Sequence, residues 1–345
     1  MDPEIISKEK KVESNQTGSQ VDLNNIKSKY ILKIIFDMLG KKESLNIIKY
    51  SKRMQKKLNY NNNDYKEYSQ TFSPIEIELI PLKNEYGAFI NIEENESNYH
   101  IYFNDEKKET KRTYLNKYEK VSKIRIIIDF QVKSFYKLFC GCKCIESIYF
   151  KKFFRNNIID MSYLFSECIS LKYLDLSHFN TDNVTDMKFM FSWCSLLQEL
   201  NLSNFNTTKV TDMYAMFFKC SSLKELNISN LDTSNVLSMN SMFAECSSLK
   251  ELNLSNFITN NLNDMGGMFC ECSSLVQLNI SNFTTNKVTN MNNLFYGCSS
   301  LNELDLSCFN IDNLIKMTDM FYNCSEKLKT KIKSQNKKIA EKVLK

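Results

Sequence analysis

The sequence predicts an α/β repeat protein, a solenoid of 26-residue coils that each contain one short parallel strand and one short helix. Three observations point to it. Eight cysteines, Cys142, Cys168, Cys194, Cys220, Cys246, Cys272, Cys298 and Cys324, follow one another at intervals of 26. Two further columns keep that interval: Met161, Met187, Met213, Met239, Met265, Met291 and Met317, and Phe139, Phe165, Phe191, Phe217, Phe243, Phe269, Phe295 and Phe321. Inside each unit the apolar spacing changes from a period of two to a helical period.

The strand is read from Leu197, Leu200 and Leu202, where the last two leucines alternate with Asn201 as one buried face of a strand requires. The helix is read from Met213, Met216, Phe217 and Cys220, an i, i+3, i+4, i+7 stripe. Thr185, Thr211, Asn263 and Thr289 precede such stripes and are expected to cap them. Elements this short cannot bury their apolar faces alone, so neighbouring coils must stack, with equivalent strand positions about 4.7–4.9 Å apart. Polar Asn, Thr and Ser segments take the turns, consistent with only 7 Gly and 3 Pro in the chain.

The recurring unit, Cys-Ser-Ser-Leu-x-x-Leu-x-Leu-Ser-x-Phe-x-Thr-x-x-Val-x-x-Met-x-x-Met-Phe-x-x-Cys, resembles the BspA-like leucine-rich repeat family, the 26-residue surface-protein repeat of mycoplasmas, lactobacilli and gut or amoeboid protists. The resemblance covers roughly residues 135–324. It implies a right-handed leucine-rich-repeat-like solenoid and, in many members, adhesion or binding to a host surface. Residues 1–20 are polar where a signal peptide needs an apolar run, so a cytoplasmic protein with reduced thiols is expected instead.

The solenoid is assigned to residues 133–326, with a degenerate first coil in which Phe135 stands in the methionine column. Ahead of it, residues 74–132 read as a β-rich cap with strands at 75–82, 88–92, 99–103 and 123–130, the last expected to cover the first coil. Residues 1–27 read as a disordered tail and 59–73 as a linker. Residues 327–345 carry eight lysines and read as a basic, solvated helix or frayed end.

Residues 28–58 read as two or three short amphipathic helices broken at Gly40. Their apolar order, Ile31, Leu32, Ile35, Phe36, Leu39 and Leu45, is similar to an F-box, although the opening Leu-Pro and the closing tryptophan of that motif are absent. The similarity implies that these six residues dock a Skp1-type adaptor of a ubiquitin ligase.

Composition narrows the function classes. The chain has 345 residues, 43% of them hydrophobic, and a net charge of +5. Residues 168–324 hold 15 acidic residues against 8 Lys and no Arg, a net −7, so the flanks are basic and the repeats acidic. An acidic surface is a poor match for phosphate, which excludes nucleic acid as a partner. No apolar run is long enough to span a bilayer.

Chemistry is not legible. The two histidines, His100 and His178, have no ligand type nearby in a recognisable spacing, and no catalytic triad, metal-binding helix motif or phosphate-binding glycine loop occurs. Cys140-Gly-Cys142-Lys-Cys144 lacks a fourth zinc ligand, and one cysteine per coil forms a line where a metal needs a tetrahedron. The cysteine, methionine and phenylalanine columns are therefore assigned to the core. A non-enzymatic, monomeric protein with no cofactor and no metal is expected.

That leaves the exposed strand positions. Asp175, Glu199, Asn201, Glu225, Asn227, Glu251, Asn253, Asn279, Glu303 and Asp305 are expected to line one broad face that binds a protein partner, with Ser203, Ser229, Ser255 and Ser281 beside them. A substrate adaptor and a surface adhesin are the rival functions.

Overall fold

The computed structural model describes residues 23, 26–48, 51–61 and 72–344, with the side chains of 37, 40–43 and 45–46 left out. Most of the expected N-terminal tail (1–22 and 24–25) and of the expected linker (62–71) lies outside the described residues. The chain divides into two compact units, Met1–Ser69 and Gln70–Lys345.

In the first unit α1 (Lys29–Ile48) runs unbroken through position 40, so the expected break at Gly40 is not there. A helical glycine costs about 1 kcal/mol relative to alanine. The helix carries that cost because Leu32, Phe36 and Ile48 bury against Met54 of α2 (Lys52–Leu58) on both sides of it. Ser51 caps α2, its Oγ accepting from the N–H of Met54 at 3.4 Å.

The second unit opens with β1 (Ile75–Pro81), β2 (Gly87–Ala88), β3 (Tyr99–Phe103), β4 (Glu109–Thr110), β5 (Tyr114–Leu115) and β6 (Ile124–Ile128). The first coil contributes β7 (Ile145–Lys152). Alternating isoleucines and leucines put one face of β1 in the core. β1 lies between β6 and β7 and pairs antiparallel with both. The strand that covers the first coil is thus β1, not the last strand before it. β6 is separated from β7 by one strand, and two adjacent antiparallel ladders use both edges of β1.

From β7 onward the coils stack. β8 (Tyr173–Asp175), β9 (Glu199–Asn201), β10 (Glu225–Asn227), β11 (Glu251–Asn253) and β12 (Gln277–Asn279) are the three-residue strands of successive coils. Their recorded pairs are parallel and step by 26: Leu174 on Ile148, Leu226 on Leu200, Leu278 on Leu252.

The expected helix in each coil does not form. Every segment from the methionine to the cysteine column is a run of turns in which two residues per coil have positive φ, among them Ala215 (52°) and Lys219 (60°). An α-helix cannot hold left-handed residues every fourth position. The backbone shows why turns win. The N–H groups of Met213, Ala215, Phe217 and Lys219 donate to Ser238, Asn240, Met242 and Ala244 of the next coil, while those of Met216, Phe218 and Cys220 close turns on residues three earlier. A helix would take all of these donors for itself and leave the coils unjoined.

The threonines expected as helix caps serve the same ladder. Thr185 and Thr289 donate their hydroxyls to the carbonyls of Ile159 and Asn263 in the preceding coil at 3.2 and 3.3 Å. One residue on, Asp186, Asp212 and Asp264 accept the N–H two residues ahead at 2.8–2.9 Å and set the first turn. Asp212 is partly buried and its carboxyl is raised above the usual range, first by burial and then by the neighbouring Asp186. A raised folded-state value penalises the folded protein once the carboxylate ionises, and the penalty vanishes as pH falls below about 3.9, the unfolded value. Asn290 holds the equivalent position and forms the same turn, accepting from Asn292 at 3.1 Å. Asp212→Asn is expected to stabilise the protein at pH 7, on the order of 0.5 kcal/mol, with no gain near pH 3. Urea midpoints at the two pH values decide it, and an equal shift at both would remove the electrostatic explanation.

One continuous core runs through the unit. The phenylalanine column stacks ring on ring, with centroids 5.4–5.9 Å apart from Phe139 to Phe321. Each buried cysteine Sγ from Cys168 to Cys324 sits 3.0–3.2 Å from the carbonyl of the phenylalanine 29 residues earlier. Burial pushes these thiols up, Cys220 to about 12. All twelve cysteines are free.

The far end differs from expectation too. The basic tail forms α3 (Glu326–Gln335) and α4 (Lys337–Val343), whose Leu328, Ile332 and Ile339 are buried in the same core. They cover the apolar edge that the last coil would otherwise expose to water, a requirement of every stacked array. The lysines point outward, where Lys331 and Lys338 meet Glu303 and Asp312. Among the described residues no helix is long and apolar enough to cross a membrane.

Candidate partner-binding face

Strand alternation puts two columns on one surface, and the residues just before each strand border them. The central column runs Tyr173, Glu199, Glu225, Glu251, Gln277 and Glu303, flanked by Lys172, Gln198, Lys224, Lys250 and Val276 on one side. Asp175, Asn201, Asn227, Asn253, Asn279 and Asp305 form the other flank, two residues along each strand. The leucine between the two outward columns turns inward, as in Leu200, which is buried.

The surface is concave. One hollow of about 810 Å³ is lined by Glu251, Asn253, Asn279, Glu303, Asp305 and Lys331 among others. A second of about 650 Å³ is lined by Asp175, Glu199, Asn201, Glu225 and Asn227 together with Tyr149 and Tyr173. All ten residues expected to form the face therefore line one of these two hollows.

The columns do different work. Asn201, Asn227, Asn253 and Asn279 accept the backbone N–H of Ser203, Ser229, Ser255 and Ser281 at 3.0–3.4 Å. Asp175 and Asp305 do the same for Ser177 and Ser307 at 2.9 Å, and those backbone N–H bonds hold both carboxyls below the usual range. This column fixes the turn that ends each strand. The glutamate column has no such task. Glu199 lies in parallel register against Glu225, so their backbones stand about 4.8 Å apart, and like charges directly opposite destabilise a sheet. Among the described residues Glu199, Glu225 and Glu251 form no ion pair. Glu303, at the end of the column, meets the Nζ of Lys331 at 2.5 Å.

The residues expected to dock an adaptor are divided. Leu32 and Phe36 are buried in their own unit's core, which removes them as contacts for another protein. Ile35 is half-buried against that core, and Ile31 and Leu39 are exposed. The side chain of Leu45 lies outside the described residues.

Among the described residues no titratable cluster suggests chemistry. His100 sits 3.3 Å from both Asp129 and Glu109 at the surface, and Asp129 above all raises its value. Among the described residues no three His, Cys, Asp or Glu side chains converge as metal ligands. Sequence reasoning placed a threonine in the repeat but missed its role: Thr181, Thr207, Thr233, Thr259 and Thr285 are buried and donate to the next coil at 2.8–3.0 Å. Their 26-residue interval was the available signal.

A solved structure of a leucine-rich repeat protein from Bacteroides ovatus is 19% identical over 61% of this chain, with a TM-score of 0.33. The match spans 59% of that protein's length. No curated protein matches the sequence significantly. Residues 133–252 and 238–343, together more than half of the chain, match the family described as "Mycoplasma protein of unknown function, DUF285", and the chain belongs to that family.

Proposed function

We propose that the protein is a non-enzymatic interaction module, a right-handed leucine-rich-repeat-like solenoid whose exposed strand face holds a basic protein partner. The observation that carries this reading is the glutamate column. Glu199, Glu225 and Glu251 are exposed and form no ion pair among the described residues, and Glu199 and Glu225 stand side by side at a cost to the sheet. Exposed carboxylates in one row that the described residues leave outside any ion pair are open to the cations of a partner. The acidic balance of the repeats extends the attraction beyond contact distance. Twelve free thiols, most of them buried and unreactive, suit a reducing compartment, and we place the protein in the cytoplasm.

The test is affinity capture with the full chain and with Glu199→Lys/Glu225→Lys/Glu251→Lys. The wild-type chain should retain a basic protein that is released by salt, and the triple variant should lose it at unchanged melting temperature. Capture of every partner by the triple variant would assign binding to another surface.

A further inference from the structure

The chain itself shows what the glutamate column accepts. Helix α3 seats Lys331 on Glu303, the last member of the column, and Lys331 and Gln335, four residues apart on one side of that helix, both line the adjacent hollow. The column's other glutamates, Glu199, Glu225 and Glu251, present the same carboxylate in earlier coils, beyond Gln277, with hollows of about 650 and 920 Å³ alongside. We infer that this concave sheet face takes a lysine-bearing amphipathic helix of the partner, laid along the stack so that successive lysines meet Glu199, Glu225 and Glu251 as Lys331 meets Glu303. The inference rests on the interaction reading above and adds the shape and charge pattern of the partner.

Spacing favours a helix over an extended peptide. Coils follow one another at about 4.8 Å. Same-side residues of a helix, three or four apart, rise about 4.5–6 Å, close to one coil per helical turn. Same-side residues of an extended chain rise about 6.6–6.8 Å and fall out of step by the second coil. The flank is not neutral. Lys224 and Lys250 border Glu225 and Glu251 on one side only, and Lys224 reaches no closer than 3.5 Å to Gln198. A fitting helix therefore carries acidic residues beside its lysine stripe on that side, which makes the order of its charges matter as well as their sum.

The experiment titrates three fluorescent peptides into the full chain at physiological salt. One is helical, with lysines at i, i+4 and i+7 and glutamates beside them; the second is its scrambled isomer of equal composition; the third carries a central proline that breaks the helix. The same titrations use Glu199→Gln/Glu225→Gln/Glu251→Gln. Glutamine already occupies the column at Gln277 on β12, so this variant keeps the fold. The helical peptide should bind at least tenfold more tightly than either control and lose at least tenfold in the glutamine variant. Equal binding of the three peptides would overturn the helix while leaving an acidic face that attracts any polycation. Failure of all three, with captured protein still dependent on the glutamates, would overturn the helix and leave the interaction reading standing. Tight binding that survives in the glutamine variant would overturn both.

Discussion

Replacing Phe243 by alanine lowers the stability of the second unit by about 3–5 kcal/mol, the usual cost of truncating a fully buried phenylalanine. The ring has no accessible surface and is held between Phe217 and Phe269 at 5.5 and 5.9 Å, nearly parallel to both. Its neighbours cannot close the gap. Phe217 and Phe269 are each fixed by the backbone ladder of their own coil, and Cys272 spans the site to the Phe243 carbonyl at 3.1 Å. Phe243→Leu, which keeps most of the volume, should lose less than half as much. Equilibrium denaturation gives both values. A loss below about 1 kcal/mol for the alanine variant would mean that the coils slide together, and the description of the ladder as rigid would be wrong.

Deleting one complete coil should leave a folded protein, and deleting half a coil should not. Removal of residues 239–264 joins Ser238 to Met265 in phase, because Met239 and Met265 share a column. Each coil contacts chiefly its neighbours, so the shortened array loses one internal interface and unfolds cooperatively at a lower temperature. Removal of residues 239–251 joins Ser238 to Leu252 half a unit out of phase. Carbonyls such as Gly266 O, which receives the Ser241 N–H at 2.9 Å, would then face no donor in register. Each buried polar group left unpaired costs about 1–3 kcal/mol, enough in total to abolish a cooperative transition. Circular dichroism melts of the two deletions are the measurement, and cooperative unfolding of the half-coil deletion would contradict the stacking scheme.

Much of the candidate face could be read without coordinates. Outward positions follow from leucine alternation alone, and all ten line the observed hollows. What alternation could not separate was the work of neighbouring columns. Asn227 and Glu225 look equally exposed in sequence, yet Asn227 is occupied with the Ser229 N–H and Glu225 forms no ion pair among the described residues. The helices of the first unit were overdivided at Gly40 because a local propensity was weighed without the Met54 contact that overrides it.

The sequence by itself determined the repeat length, the identity of the buried columns and the direction each strand residue faces, since all three follow from spacing along the chain. Only the tertiary structure decided the conformation of the segment from Met213 to Cys220, the choice of β1 as the covering strand, and the folding of the lysine-rich end onto the core. The physical reason is shared. An i, i+3, i+4, i+7 stripe satisfies a helix and a pair of consecutive turns equally well, and the deciding factor is where the backbone N–H groups go. Here they go to carbonyls 25 residues away in the next coil, and the terminal helices owe their burial to an apolar edge that exists only once the coils have stacked.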